Sequence, residues 1–349
     1  MSETDSLLLQ ALARRNTGRP PVWFMRQAGR YHQHYQRLRA QHEFIDLCKR
    51  PDLAVEVTMG PIEDFGFDAA ILFSDLLFPL EAMGMGLTYE PGPKLGWHLR
   101  DAADLSRLSG GAERAQHMAF QAEALTRLRV RLPRECGLIG FVGGPLTLYA
   151  YAVAGSHEGF IREAPAGHER TLFPGFIEKL QPLLAANMVL QVHAGADCVA
   201  LFDTAAGALS PEQFSKLVVP SVAGVVQAFR RDCPHTPLIY YSRDTGPEQW
   251  LSMRHIDFQC LGIDWRHDMA RVLPSFSDRW AVQGNIDPHW LLLGQAEWEP
   301  KVRALFSRLL ALPAAQRAAW VCGLGHGVLQ HTPEANVHRV LKIQREMFG

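Results

Sequence analysis

The chain has 349 residues, 47% hydrophobic and 20% charged, with a formal net charge of -1. That balance describes a globular protein and excludes a disordered or fibrous one. Near-neutral charge gives no global field for nucleic acid or a membrane surface, so any recognition of anions must come from a local cluster.

The N-terminus Met1-Ser2-Glu3-Thr4-Asp5 is acidic and polar, and the Leu7-Leu8-Leu9 run is too short for a signal core. No apolar stretch is long enough to span a bilayer. The six cysteines, Cys48, Cys136, Cys198, Cys233, Cys260 and Cys322, form no CxxC pair, which argues against a zinc knuckle or a thioredoxin-type motif. Free buried thiols and a cytoplasmic location are expected.

Eight short apolar runs read as strands: Val22–Gln27, Ala69–Ser74, Gly137–Val142, Cys198–Asp203, Leu238–Ser242, Leu261–Trp265, Trp280–Gly284 and Ala319–Gly323. Amphipathic segments such as Asp52–Phe65, Glu113–Arg131, Phe176–His193, Pro211–Arg230 and Trp298–Leu310 lie between them. Continuous apolar strands fit a parallel sheet covered on both faces. Eight βα units without an evident boundary predict an α/β fold, a single (β/α)8 TIM barrel over residues 1–349 with an N-terminal helical extension. An open doubly wound sheet is the alternative, but no GxGxxG turn follows the first strand.

A barrel places its active site at the C-terminal ends of its strands. The first run ends in Arg26 and Arg30, the second in Ser74-Asp75, and the third leads into Gly143-Gly144-Pro145 and then Tyr151. The others end in or near Asp203-Thr204, Tyr241-Ser242-Arg243-Asp244, Asp264, Asn285 with Asp287, and His326. Arg26 and Arg30 suit either carboxylate or phosphate binding through their planar forks, or salt bridges to acidic neighbours. Asp75 could accept several N–H bonds, stabilise a cation, or pair with the arginines. His326, between glycines, could donate a hydrogen bond, move a proton, or serve structure alone. Hydroxyls such as those of Tyr151 and Thr204 often cap helices instead. No Walker loop or GxSxG elbow is present, and His255, His267, His289 and His331 show no convincing metal-ligand spacing.

The chain resembles the uroporphyrinogen decarboxylase family nearly from end to end. The resemblance rests on Pro21-Val22-Trp23-Phe24-Met25-Arg26-Gln27-Ala28-Gly29-Arg30-Tyr31, which looks like the family's N-terminal signature, and on five further blocks in the same order. These are Ala69–Asp75, Gly140–Leu148, Phe202–Gly207, Gln283–Pro288 and Gly323–Gly327. The resemblance implies a cofactor-free, metal-free (β/α)8 enzyme, usually a homodimer. Its substrate is a reduced cyclic tetrapyrrole whose four acetate side chains are decarboxylated to give coproporphyrinogen III. Carried over by position, Asp75 is the central group under the macrocycle. Arg26, Arg30 and Arg39 meet carboxylates, and Tyr151, Thr204 and His326 match polar pocket positions. The proton donor stays open between Arg26 and an arginine-held water.

The sequence departs from the family pattern at His32-Gln33-His34-Tyr35-Gln36, where Leu-Pro-Glu-Tyr/Phe-Arg is usual. Gly60 stands for a glutamine, Thr204 for a serine, and Tyr241-Ser242-Arg243-Asp244 for Phe-Ser-Lys-Gly; Leu329-Gln330-His331-Thr332-Pro333 lacks one proline usual in the family. Two other functions fit parts of this sequence. One is a non-catalytic or altered-specificity tetrapyrrole-binding paralogue. The other is a corrinoid-linked methyltransferase, although Tyr240-Tyr241-Ser242 stands where those relatives carry a thiolate zinc-ligand element.

Overall fold

The computed structural model describes residues 6–89, 92–155 and 172–349. Met1–Asp5, the start of the expected N-terminal extension, lies outside them. The strands in chain order are β1 (Ala69–Ile71), β2 (Thr88–Tyr89), β3 (Pro93–Lys94), β4 (Gly137–Gly143), β5 (Cys198–Phe202), β6 (Leu238–Tyr241), β7 (Cys260–Gly262), β8 (Ala281–Ile286) and β9 (Trp320–Leu324). Apart from the short antiparallel β2–β3 hairpin, an addition to the eight expected strands, these are parallel strands alternating with helices. Strands β4 to β9 are buried at every residue, as expected of continuous apolar runs in a parallel sheet covered on both faces. No helix among the described residues is long and apolar enough to cross a membrane.

The chain divides into two compact units. The first takes the residues up to Phe73, Arg127–Ile139 and Phe258–Gly349. In it β1 pairs with the start of β4, and β7, β8 and β9 pair in sequence. The second takes Ser74–Thr126 and Gly140–Asp257 and contains the β5–β6 pair.

Seven of the eight expected strands are present, shifted or trimmed by a few residues at their ends. The first, expected over Val22–Gln27, is reduced to a single parallel bridge between Val22 and Cys322. A turn closed by Gln27 N–H on the Phe24 carbonyl (3.0 Å), with Arg26 at φ +59°, ends the extended backbone. Side chains replace the missing ladder. Asp68 Oδ2 accepts the Val22 N–H at 2.8 Å, and Gln27 Nε2 donates to the Ala69 carbonyl at 3.0 Å. Arg19 clamps the same Asp68 carboxylate with both guanidinium nitrogens, at 2.6 and 2.5 Å. The expected Pro211–Arg230 helix has those bounds and opens with a capping box at Ser210 and Gln213. The other helices extend or shift by a few residues; the segment from Glu113 starts as a 3-10 helix, Ala112–Met118, before the α-helix Ala119–Arg131.

Candidate active site

In the first unit, parallel β7, β8 and β9 bring their C-terminal ends to one edge. The opening signature joins them, because Cys322 N–H donates to the Pro21 carbonyl (2.9 Å) and Val328 N–H to the Met25 carbonyl (2.9 Å). These bonds set Arg26 beside the His326-Gly327 loop. There the Arg26 side chain crosses Gly327 so closely that a Cβ on the glycine would stand 2.5 Å from Arg26 Cδ.

Arg26 and Arg30 are exposed, and neither makes an ion pair among the described residues. The salt-bridge alternative for the two arginines therefore has no partner there, and their positive charge is available to an anionic ligand. Arg39 differs. Its Nη1 donates to the His42 carbonyl at 2.9 Å and its Nη2 lies 3.4 Å from Glu43 Oε2, closing the end of the helix Gln33–Arg39.

The acids at the other strand ends of this unit are satisfied locally. Asp264 accepts from Arg266 through backbone and guanidinium, and Asp287 accepts the His289 N–H at 2.9 Å. Asn285 Nδ2 donates to the carbonyls of Asp264 (2.9 Å) and His267 (2.6 Å), tying two strand ends together.

In the second unit, Asp75 is half-buried, and its Oδ1 accepts the Leu77 N–H at 2.8 Å, an Asx turn that fixes the carboxylate. The preceding residue, Ser74, accepts from Gln121 Nε2 at 2.8 Å. Gln121 in turn meets Gln191, which bonds both backbone groups of Phe141 on β4 at 2.8 and 2.9 Å. Gly140 has no room for a side chain here, since its Cβ would lie 2.4 Å from Gln191 Oε1. This amide network anchors the loop entering Asp75. Its visible trace in the sequence is a pair of glutamines on the buried faces of two helices.

Also in this unit, Gly144 N–H donates to the Phe202 carbonyl at 2.8 Å, which joins the ends of β4 and β5. Tyr151 lies on the helix Pro145–Ala154 after β4, and Thr204 opens the 3-10 turn Thr204–Ala208 after β5. Both side chains are half-buried. Between them is Asp203, fully buried, with its carboxyl pushed up to about 6 by burial against the lowering effect of bonds from Thr147. In the sequence Asp203 is one strand-end acid among several, and its burial and its partner Thr147 are what set it apart.

The departures from the family pattern also have local partners. The His34 ring lies against Gly60, whose Cβ would stand 2.5 Å from His34 Cδ2 and 2.9 Å from Cγ. His34 stacks at 5.7 Å on His32, which is buried and bonds Asp64 Oδ2 through Nε2 at 2.7 Å. Burial holds His32 below the usual imidazole range, against the raising effect of Asp64. Asp244, where the family has glycine, sits at φ +63°, a conformation that glycine adopts freely and aspartate tolerates better than most residues.

Among the described residues no group of three histidine, cysteine or acidic side chains could hold a metal ion. The six cysteines are free and buried.

The family model for uroporphyrinogen decarboxylase (URO-D) matches residues 3–347. A uroporphyrinogen decarboxylase of Koribacter versatilis (strain Ellin345) is 35% identical over 350 residues, covering 99% of this chain and 97% of the relative. One of Roseiflexus sp. (strain RS-1) is 36% identical over 351 residues, covering 98% of this chain and 99% of the relative. Among solved structures, a methyltransferase from Methanosarcina mazei is similar with a TM-score of 0.76 at 18% identity, covering 98% of each chain. At that identity the likeness speaks for the fold, and it agrees with the α/β barrel class expected from the sequence.

Proposed function

The chain belongs to the uroporphyrinogen decarboxylase family, and we infer that it decarboxylates the four acetate side chains of uroporphyrinogen III to give coproporphyrinogen III. It is a carboxy-lyase of porphyrin and haem biosynthesis. The observation that carries this reading is the family match over residues 3–347, which includes every block of the sequence signature.

We propose the following roles for the chain's own residues. Each decarboxylation needs an electron sink, because the electron pair of the breaking carbon–carboxyl bond must be accepted as carbon dioxide leaves. Protonation of a pyrrole carbon supplies that sink, and the net change is one proton taken up for each carbon dioxide released. The Asp75 carboxylate, held by the Leu77 N–H through one oxygen, accepts pyrrole N–H bonds and stabilises the cationic ring. Arg26 and Arg30 bind substrate carboxylates, which suits two exposed guanidiniums without ion pairs among the described residues. Arg39 adds positive charge while holding its own helix end. Tyr151, Thr204 and His326 orient carboxylates or the Asp75 hydrogen bonds. The proton comes from Arg26 or from a water held by an arginine.

A cytoplasmic homodimer is proposed for the assembly, to be checked by light scattering of the purified chain. Anaerobic incubation with uroporphyrinogen III and separation of products by carboxyl number tests the activity itself. Retention of all eight carboxyl groups would favour the non-catalytic tetrapyrrole-binding reading.

A further inference from the structure

Thr147 and Asp203 form a buried clasp between the ends of β4 and β5. Asp203 Oδ1 accepts the Thr147 N–H at 2.7 Å and the Thr147 Oγ1–H at 2.8 Å. Thr147 Oγ1 in turn accepts the Ala205 N–H at 3.1 Å. The Asp203 carbonyl accepts the Ala206 N–H at 3.0 Å, closing the turn that starts at Thr204. Thr147 therefore lies between the first turn of the helix Pro145–Ala154 and the turn Thr204–Ala208.

The clasp is costly to hold. Asp203 has no exposed surface, and its Oδ2 is buried with no hydrogen-bond partner among the described residues. A buried carboxyl with one unsatisfied oxygen is expensive compared with a small neutral cap. Space around it is also reserved, because a Cβ on Gly144 would stand 2.4 Å from both Asp203 Cβ and Cγ. An ordinary helix start needs neither feature, since a serine, threonine or asparagine N-cap satisfies the same N–H groups.

We infer that Asp203 is a positioning residue, which acts through Thr147 to fix Tyr151 and Thr204 where they meet the substrate. Tyr151 lies four residues beyond Thr147, on the same helix face one turn on. Thr204 directly follows Asp203 in the chain. One carboxylate oxygen thus sets the placement of two substrate contacts on different elements. The inference rests on the reading of Tyr151 and Thr204 as substrate contacts.

The test uses the full chain with uroporphyrinogen III under anaerobic conditions, and reads KM, kcat and the unfolding temperature of each variant. Thr147→Val removes the hydroxyl relay, and Thr147→Ser keeps it. Thr147→Val is expected to raise KM about tenfold, with Thr147→Ser near the unmutated value. A Tyr151→Phe/Thr204→Ala double variant is expected to raise KM as well, and adding Thr147→Val to it to raise KM no further. Asp203→Ala is expected to follow Thr147→Val; if it fails to fold, the threonine pair carries the comparison. An unmutated KM in Thr147→Val, beside a raised KM in the double variant, overturns the positioning role alone. So does equal impairment of Thr147→Ser and Thr147→Val, or full additivity with the double variant. An unmutated KM in the double variant overturns the contact reading and the inference built on it.

Discussion

The side chain of Arg26 lies across Gly327, with its Cδ 2.5 Å and its Cγ 2.8 Å from where a Cβ on that glycine would be. The contact follows from the bridge between Val22 and Cys322, which runs the opening signature beside β9, and from the turn at Arg26 that follows it. A glycine that flanks His326 in the sequence is here a platform for a guanidinium.

Gly327→Ala is therefore expected to push Arg26 aside without disturbing the core. Turnover should fall by about tenfold to a hundredfold, the range in which small misplacements of a positioned group act. The unfolding temperature should move little. Steady-state kinetics and thermal unfolding of the same preparation check this, and unchanged kinetics would detach Arg26 from the reaction.

Asp75→Ala removes the carboxylate proposed to stabilise the cationic ring, and turnover is expected to fall by at least about a hundredfold. It also removes the acceptor for the Leu77 N–H, with a stability loss of about 1 kcal/mol. A folded Asp75→Ala variant with near-normal turnover would remove Asp75 from the mechanism. Arg26→Ala should lower turnover less completely, since Arg30 remains.

His34 and Gly60 form a coupled pair of departures from the family pattern. Gly60→Gln alone must displace the His34 ring, and overpacking of this kind costs about 1–3 kcal/mol. Gly60→Gln combined with His34→Ala is expected to recover most of that loss. Chemical denaturation of the two singles and the double measures the coupling, and strict additivity would contradict it.

Two buried groups give the stability a pH dependence of opposite sign. Asp203 titrates at about 6 when folded, against 3.8 for the free side chain. Between those values the folded chain holds the proton more tightly, so this contribution is fully present below about 3.8 and is lost as pH rises through about 6. The difference corresponds to about 3 kcal/mol. His32 is lowered by burial, so its contribution is present above about 6.5 and is lost as pH falls. Denaturation of Asp203→Asn between pH 4 and about 7 is expected to show stability rising more steeply with pH than in the unmutated chain. Parallel curves would contradict the assignment.

Much of this architecture is legible in the sequence because the strands are continuous apolar runs, and seven of the eight recur in the structure. The first run misled by its length. Its residues are as apolar as a strand, yet the turn at Arg26 and the side chains of Asp68 and Gln27 take over the bonding that a ladder would supply. Strand-end polar residues were visible for the same reason the strands were, as charge following an apolar run. What the sequence could not separate was a local pairing from a free group. Asp264 and Asp287 proved to be tied to their own loops, while Arg26 and Arg30 have no ion-pair partner among the described residues. The Asp203–Thr147 clasp was hidden because its partners are 56 residues apart.

Removal of acetate carboxyl groups from a porphyrinogen can be followed directly. Purified chain should be incubated with uroporphyrinogen III in the dark and without oxygen, and the products separated by carboxyl number over time. Species with seven, six and five carboxyl groups should appear and give way to coproporphyrinogen with four, with carbon dioxide released in step. Tight binding of uroporphyrinogen with all eight carboxyl groups retained would contradict decarboxylation by this chain.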